Sequence, residues 1–550
     1  MAGLLCDRYH ILVEFAYKHL DFHLAELESV LDMNGIRLGS PDCEIVPLPN
    51  QDNDYPSRVE QIATSVAAKN QGIARRPFLI LSFPNGSKFT PRKDNEQKED
   101  CDIGSLILAR CTLVRSVMEL WGRSTTIASC AQATTAWVET DPLGRSIFKR
   151  NAGLSQSWKI TIHTLGAKYS FDEHTEMREH FSFLDLAGPI QMNDPTNEFV
   201  LIREVELDSK GGALYPRFGF EKVLIPENDA RPPLASYFGR ILGGVRHVKG
   251  RGGVEYYSLK KRSYLGPTSM DAELSFVMTN LGQVRPSTFA FDPFVGTGSI
   301  LLSCALRGAF CIGTDIDIRV LKGRSEEENV YSNFRQFGLP LPELIRSDNA
   351  IYHRHYRSDT PLYHSIICDP PYGIRAGARR TGSRLDSPKD VLVEHRHDHI
   401  AQTKPYVVSD VMSDLLDVAA RTLEMNGRLV YIIPSFTDFN EETDLPRHDC
   451  LEIVHICYQP LSAELGRRTV AMKKVKPYDP SQRDSYLASV WKNGPESAEK
   501  CANIRDKIME AAKMKPGYEE RSAYRKQKRK QHYEAKKKAK WQAKETQIGK

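Results

Sequence analysis

The segment Asp369-Pro370-Pro371-Tyr372 has the residue types needed to activate an exocyclic amine on a planar base. Such an amine is a poor nucleophile because its lone pair is delocalised into the ring. The carboxylate of Asp369 and the carbonyl oxygen of Pro370 can accept its hydrogens and return electron density to the nitrogen. The prolines would hold both acceptors in place beforehand, and the Tyr372 ring offers a stacking face. The ordinary alternative is a proline-rich turn with an exposed tyrosine.

A glycine turn earlier in the chain could bind a nucleoside cofactor. The run from Phe291 to Ser299 predicts a strand, a turn containing Gly296 and Gly298, and the start of a helix. Glycine allows positive φ and close approach of the backbone. Leu301 occupies the place of the third glycine of a dinucleotide motif, and no P-loop lysine follows. A helix N-terminus after so short a turn can bind the methionine carboxylate of S-adenosylmethionine, although a plain strand-to-helix turn remains the alternative.

Acidic residues end two further predicted strands. Asp315 follows a buried strand at the offset where an acid can accept both ribose hydroxyls of a nucleoside. Asp348 follows the next strand and can accept a hydrogen bond from an adenine amine. Their neighbours Asp317 and Asn349 are more typical of helix caps or turns. In a doubly wound α/β domain these side chains meet at one sheet edge, which predicts an S-adenosylmethionine site facing a pocket for a planar amino group.

The order of these motifs resembles that of the amino-directed Rossmann-like methyltransferases. An upstream stretch, Tyr264 to Ser275, resembles the segment that precedes the catalytic domain in THUMP-containing RNA methyltransferases. The chain is most similar to the catalytic subunits of the eukaryotic tRNA (guanosine-10 N2) methyltransferase. The likeness is strong from Tyr237 to Ser435, moderate over the N-terminal half and absent from roughly the last fifty residues.

The resemblance implies a Rossmann-like domain with a seven-stranded, mostly parallel sheet, preceded by α+β ferredoxin-like and THUMP modules. It implies S-adenosyl-L-methionine-dependent methylation of the N2 amine of a guanosine in tRNA. It also implies a heterodimer with a small zinc-binding activator subunit. The catalytic residues would be Asp369, Pro370 and Tyr372. The candidate cofactor-binding residues are Thr268, Ser269, Asp271, Asp292, Phe294, Gly296, Gly298, Asp315, Ile316, Asp348 and Asn349.

Two other functional classes share part of this pattern. A DNA or protein-glutamine amino-methyltransferase can have the same Asp-Pro-Pro-Tyr loop. A non-catalytic tRNA-binding adaptor would have a broken cofactor site, yet every acid of the predicted site is present. By spacing alone, Thr268, Ser269 and Asp271 are equally typical of a helix N-terminus, and this role is compatible with cofactor binding.

Composition limits the protein class. The 550 residues, 41% of them hydrophobic, are enough for about two to four domains. Eleven cysteines without Cys-x-x-Cys pairs indicate neither a zinc site nor a disulfide framework, and free thiols suggest a reducing compartment such as the cytoplasm. Charges within Met1 to His23 argue against a signal peptide, and the sequence predicts no membrane span. The net charge is +5, but Arg521 to Lys550 has twelve Lys and Arg against two Glu, which predicts a solvated tail or a phosphate-binding arm.

The pattern divides the chain into five parts: a ferredoxin-like module (1–75), a THUMP-like RNA-binding module (76–210), a linker (211–255), the methyltransferase domain (256–490) and a basic tail (491–550). The Leu20, Leu24, Leu27 and Leu31 spacing predicts a helix with one apolar face. Strands of the catalytic sheet are predicted at 288–294, 310–316, 343–348, 364–370, 428–434, 450–458 and 467–475, the last two as an antiparallel edge. The arginine-rich segment from Ile374 to Asp410 predicts a loop that grips the substrate, with a plain insertion as the alternative.

Overall fold

The structure is a computed structural model. It describes residues 8–16, 18–50, 76–87, 89–90, 102–165, 169–205, 233–244, 254–266, 269–357, 360–371, 378–382, 402–436, 439–461, 465–492 and 494, with single positions at 513, 520, 524, 527 and 528. No helix within these ranges combines the length and the apolar character that crossing a membrane requires.

The first half of the chain folds around a seven-stranded sheet. Its strands are β1 Arg8–Phe15, β2 Glu44–Val46, β3 Phe78–Pro84, β4 Val114–Ser124, β5 Trp158–Leu165, β6 Asn197–Val205 and β7 Pro233–Gly244, in the order β2-β3-β1-β4-β7-β6-β5. Its helices are α1 Phe22–Met33, α2 Ile103–Arg110, α3 Ile127–Thr140, α4 Pro142–Asn151 and α5 Phe171–Glu179. One face of the sheet packs against these helices in a core around Trp121 and Phe238.

This sheet crosses two of the predicted domain boundaries. Strand β1, in the predicted module 1–75, pairs antiparallel with both β3 and β4. Strand β7, in the predicted linker 211–255, pairs with β4 and β6. Within the described residues, the predicted ferredoxin-like module therefore has no separate sheet, and the linker contributes a strand to the THUMP half. Pro233 is compatible with that strand because it is the first residue, where a missing N–H costs little.

The second half contains the catalytic sheet. Its strands are β8 Phe289–Asp292, β9 Phe310–Asp315, β10 Glu343–Arg346, β11 Tyr363–Cys368, β14 Leu423–Phe436, β15 Leu451–Pro460 and β16 Leu465–Lys474, in the order β10-β9-β8-β11-β14-β16-β15. Strand β16 is antiparallel to both β14 and β15, and the other pairs are parallel. The predicted fold class and its seven strands are confirmed, including the antiparallel edge.

Helices and a small hairpin complete this domain. The helices are α6 Ala272–Leu281, α7 Ser299–Leu306, α8 Ile318–Lys322, α9 Val330–Gln336, α10 Val408–Thr422 and α11 Arg483–Ser489, with 3-10 turns at Val254–Tyr257, Leu259–Lys261, Asn349–Arg354 and Pro480–Gln482. The hairpin pairs β12 Arg379–Thr381 with β13 Thr403–Pro405 inside the segment predicted as a gripping loop. The intervening positions 383–401 lie outside the described residues.

Helix α1 joins the two halves. Its Phe22 and Ala25 pack in the same core as Val277 and Met278 of α6, whereas its opposite face packs on the N-terminal sheet. Glu26 of α1, which is 1% exposed, accepts a hydrogen bond from Asn280 Nδ2 at 2.6 Å. The two halves thus share buried apolar and polar contacts.

Candidate active site

A cavity of about 780 Å³ lies at the carboxyl edge of the catalytic sheet. Residues that follow β8, β9 and β11 line it, together with residues that precede α6. The predicted site residues found in its lining are Ser269, Asp271, Asp292, Phe294, Gly296, Asp315, Ile316, Asn349, Asp369 and Pro370. Gly298 and Asp348 are not part of the lining, and Thr268 and Tyr372 lie outside the described residues.

The glycine turn is bound directly to the next strand. Gly296 and Gly298 both have positive φ, at +49° and +77°, which glycine adopts without steric cost. The Gly296 N–H donates to Asp315 Oδ2 at 3.0 Å. Gly298 is the N-cap of α7, and a Cβ there would lie 2.6 Å from Val330 Cγ1. Gly298 is therefore needed for close packing of the turn against Val330, whereas the backbone of Gly296 lines the cavity.

Five aspartates line this cavity: Asp271, Asp292, Asp315, Asp317 and Asp369. Asp315 accepts hydrogen bonds from the Gly296 and Asp317 amides at 3.0 and 2.8 Å, and its remaining lone pairs can accept ribose hydroxyls. Asp292 is 1% exposed, and burial, with a contribution from the Asp315 and Asp369 carboxylates, raises its pKa well above the ordinary value. Burial also raises the pKa of Asp315. A cation beside these carboxyl groups would lower their pKa values and stabilise their charged forms, and the sulfonium of S-adenosylmethionine is such a cation.

Asp348 and Asn349 have different surroundings. The Asp348 carboxylate accepts the Ala350 N–H at 3.0 Å, which caps a 3-10 turn, and the Thr381 N–H at 2.6 Å, which anchors β12. Asn349 lines the cavity, is 6% exposed, and neither atom of its amide group has a partner within the described residues. Capping, which the sequence favoured for Asn349, is thus performed by Asp348. Burying an amide group without hydrogen-bond partners costs free energy. The amine and a ring nitrogen of adenine could pair with the Asn349 oxygen and nitrogen.

The segment before α6 contributes a second wall. Ser269 Oγ accepts the Gly266 N–H at 3.0 Å and lies 2.7 Å from Thr297 Oγ1 in the glycine turn. Asp271 caps α6 by accepting the Glu273 and Leu274 amides, and it also lines the cavity. The predicted capping role of Asp271 is therefore confirmed, at a position where it can also contact a ligand.

The cavity also contains residues that the sequence did not single out. Tyr406, which is buried, donates its hydroxyl proton to Asp414, whose pKa is raised to about 7 by burial. Arg467 lies at the start of β16, and its Nε donates to Gln459 Oε1 at 2.5 Å. An arginine at the edge of an apolar strand is the only sequence signal for Arg467. Its place in the cavity also depends on the pairing of β16 with β14, which the sequence did not predict.

Comparison with known proteins identifies the family. A Tmrp11 THUMP N-terminal domain model matches residues 97–217, and an RMKL-like methyltransferase domain model matches residues 260–389. The tRNA (guanine(10)-N(2))-methyltransferase TRMT11 of Homo sapiens is 31% identical over 501 residues, which cover 88% of this chain and 93% of that protein. The protein of the same name from Dictyostelium discoideum is 35% identical, over 86% of this chain and 84% of its own. The chain belongs to the TRMT11 family.

Membership of this family confirms the predicted resemblance and the predicted enzyme class. The chain is a methyltransferase whose methyl donor is S-adenosyl-L-methionine, and the carboxylates and the amide described above fit that cofactor. Among solved structures, TrmN from Thermus thermophilus matches 85% of this chain and 100% of its own at 12% identity and a TM-score of 0.36, a likeness too weak to support an argument.

Proposed function

We propose that this chain methylates the N2 amine of the guanosine at position 10 of tRNA, as the catalytic subunit of a heterodimer. One observation carries the proposal: Asp369 and Pro370, the acceptors suited to an exocyclic amine, line the same cavity as Asp292 and Asp315. The names of the two relatives given above describe methyltransferases that act on guanine 10 of tRNA. A THUMP-type domain model over residues 97–217 is consistent with an RNA substrate.

The cofactor would be held by groups on three strands. S-adenosylmethionine supplies an electrophilic methyl group on a sulfonium sulfur. Asp315 would accept the ribose hydroxyls, and Asn349 would bind the adenine edge, with Asp348 supporting that end of the cavity. The N-terminus of α7 and the segment with Ser269 and Asp271 would bind the methionine end. The roles of Thr268 and Tyr372 stay predictions, since both residues lie outside the described ranges.

Asp369 would be the principal catalytic residue. Its carboxylate and the Pro370 carbonyl accept the hydrogens of the guanine amine, which localises the nitrogen lone pair for attack on the methyl carbon. The bond between nitrogen and the methyl carbon forms as the carbon–sulfur bond breaks, and the nitrogen then loses one proton. Asp369 is the proposed acceptor for that proton. Preorganised acceptors of this kind stabilise developing charge without reorganisation during the reaction.

The proposed activator subunit would bind the open edge of the catalytic sheet. The sheet has two edges, and at β15 the N-terminal segment contributes cover, since the Tyr458 N–H donates to Asp21 at 3.2 Å. At the other edge, β10 has no neighbouring strand among the described residues, and Leu341 and Ile345 are 49% and 53% exposed. Isolating the chain from its own cells and measuring zinc content and complex mass tests this. A zinc-free monomer with full activity contradicts it.

The cytoplasm is the proposed compartment. The cysteines for which the structure gives a state are free and buried thiols, at positions 43, 111, 130, 304, 311, 368, 450 and 457. Free thiols are stable in a reducing compartment. Fractionation of cells that express a tagged full-length chain would test this location.

Methyl transfer from labelled S-adenosylmethionine to purified RNA and DNA tests the function. We expect label on tRNA alone, recovered as N2-methylguanosine at position 10. Loss of that modification should follow in cells that lack the chain. Label on DNA, or on another tRNA atom, contradicts the proposal.

Replacement of Asp369 by alanine tests the mechanism. We expect turnover to fall by orders of magnitude while cofactor affinity is kept, because the lost acceptor acts mainly in the transition state. Asp479→Ala is the matched control, since Asp479 caps a surface 3-10 turn outside the cavity. Turnover of Asp369→Ala within about threefold of the parent, a barrier change near 0.7 kcal/mol, would refute the assignment.

A further inference from the structure

Arg467 lies on the same face of the sheet as the proposed catalytic residue, two strands away. In the strand register, Arg467 is directly opposite Pro434 of β14 and Gln459 of β15, and directly opposed residues share a face. Ile432 and Ile367 pack in the core beneath α6. Side chains two positions apart on a strand share a face, so Pro434 lies on the same face as Ile432, and Asp369 on the same face as Ile367. Cys368 is opposite Tyr431, so Asp369 continues the register opposite Ile432, and Pro434 and Arg467 lie two positions further along on the same face. All three residues line the cavity.

The distance between Asp369 and Arg467 leaves room for a base. Neighbouring strands are about 4.8 Å apart and residues along a strand about 3.3 Å apart, so the backbone positions of Asp369 and Arg467 are about 12 Å from each other. Pro434, Leu461 and Leu465 give this part of the cavity an apolar lining. A flat base can lie against such surfaces with one edge toward Asp369 and the opposite edge toward Arg467.

The guanidinium of Arg467 is held in one orientation. Its Nε donates to Gln459 Oε1 at 2.5 Å, and Gln459 Nε2 lies 3.2 Å from His19 Nδ1 in the segment before α1. Fixing Nε fixes the plane of the two terminal nitrogens. These nitrogens form the fork that binds two acceptors in parallel.

We infer that Arg467 recognises the target base by donating to O6 and N7 of guanine. This inference rests on the proposed function. Guanine has its N2 amine on one side of the ring system and the O6 and N7 acceptors on the other, which matches a carboxylate and a guanidinium across one pocket. Adenine has an amine donor in place of O6, so Arg467 would also exclude adenine. Arg467 is a specificity residue in this scheme, and Gln459 positions it.

A base analogue separates recognition from general charge attraction. 2-Aminopurine keeps the 2-amine and N7 of guanine but lacks O6. It would replace the target guanosine, at the position mapped for the parent protein, in otherwise identical tRNA. For the full-length parent chain we expect kcat/KM to fall by about tenfold or more on the analogue, the range of a bidentate arginine–guanine contact.

For Arg467→Ala, kcat/KM on guanosine tRNA should fall by a similar factor. Its kcat/KM on the analogue tRNA should be little lower than its value on guanosine tRNA. Arg467→Lys keeps the charge without the fork, so it should behave like the alanine variant. Calorimetry with S-adenosylhomocysteine should give the same Kd for the parent and both variants, since the cofactor end of the cavity is untouched. Equal Kd values show that the variants are folded.

A phosphate contact would produce a different pattern. Arg467→Ala would then lower kcat/KM equally on both tRNAs, Arg467→Lys would recover most of the loss, and the salt dependence of tRNA binding would decrease by about one charge. Either that pattern or full activity of Arg467→Ala overturns the inference and leaves the proposed function intact. Failure of the parent chain to methylate guanosine in tRNA overturns the proposed function itself.

Discussion

Replacing Glu26 by alanine removes the buried carboxylate at which α1 joins the two halves. One carboxylate oxygen accepts the Thr112 N–H at 2.8 Å and Asn280 Nδ2 at 2.6 Å, and the other accepts the Leu113 N–H at 2.8 Å. The side chain is 1% exposed. Alanine would leave the two backbone amides without acceptors, and Asn280 Nδ2 would keep only the Arg110 carbonyl oxygen at 2.9 Å.

The expected cost follows from these contacts. Hydrogen bonds to a charged group contribute about 1.5–3 kcal/mol each. Their sum overstates the effect because burial of the carboxylate carries a desolvation cost. Burial raises the pKa of Glu26, which is a sign of that penalty. Removing one partner from a buried charged network costs about 3–5 kcal/mol. We expect the lower end of this range, a substantial part of a typical unfolding free energy of about 5–15 kcal/mol.

Glu28→Ala is the matched control. Glu28 lies on the same helix, but its side chain is 33% exposed and its ion pair with His455 spans 3.9 Å. A pair of this kind contributes at most about 1 kcal/mol. Denaturant unfolding of both variants, followed by tryptophan fluorescence and by cofactor binding, measures the difference. If the two variants have unfolding free energies within about 1 kcal/mol of each other, the Glu26 network is not a structural junction.

Two further predictions concern the cavity. Asn349→Ala should weaken S-adenosylhomocysteine binding by about 3- to 10-fold in calorimetry, since neutral hydrogen bonds contribute about 0.5–1.5 kcal/mol, and an unchanged Kd would show that its amide has no cofactor contact. Burial raises the pKa of Asp414 to about 7, so its contribution to stability is complete below about pH 4 and is lost as the pH rises to 7. Asp414→Asn should therefore reduce the decline of the thermal midpoint over that window, and an unchanged decline contradicts the assignment.

The catalytic sheet could be predicted from sequence because its signals are local. Each of the motifs around Gly296, Asp315 and Asp369 combines a short apolar strand with a turn or an acid, so the pattern itself marks the strand ends. The predicted strand at 310–316 differs from β9 by one residue. Parallel strands then have to meet at one edge, so the shared cavity was also predictable.

The junction of the two halves could not be predicted in this way. Strands β1 and β3 pair across more than sixty residues, for example Tyr9 with Phe83, and nothing near either strand indicates its partner. The apolar spacing of α1 predicts a single buried face, whereas the structure buries Leu27 on one side and Phe22 on the other. A helix buried between two domains lacks the polar face that amphipathic patterns assume. The pairing of β1 with β3 also runs across the predicted boundary at residues 75/76.

This junction also bears on how truncations are interpreted. A chain that starts near Arg231 would lack α1 and expose the surface of α6 around Val277 and Met278. Loss of tRNA methylation by such a fragment would reflect damage to the catalytic core as well as loss of the THUMP half. Point variants that preserve the core are therefore the better test of how the halves divide RNA binding and catalysis.

The double burial of α1 has a consequence for synthesis of the chain on the ribosome. Glu26 is 254 residues ahead of its partner Asn280, and Ser29 is 426 residues ahead of His455. At about 5–20 residues per second, the first partner follows roughly 13–50 s later. During that time Phe22 and Ala25 have no catalytic-domain surface to pack against, although the opposite face of α1 can already dock on its own sheet. The nascent N-terminal half should therefore present an apolar stripe to chaperones until α6 emerges, and its final packing is a late step of folding.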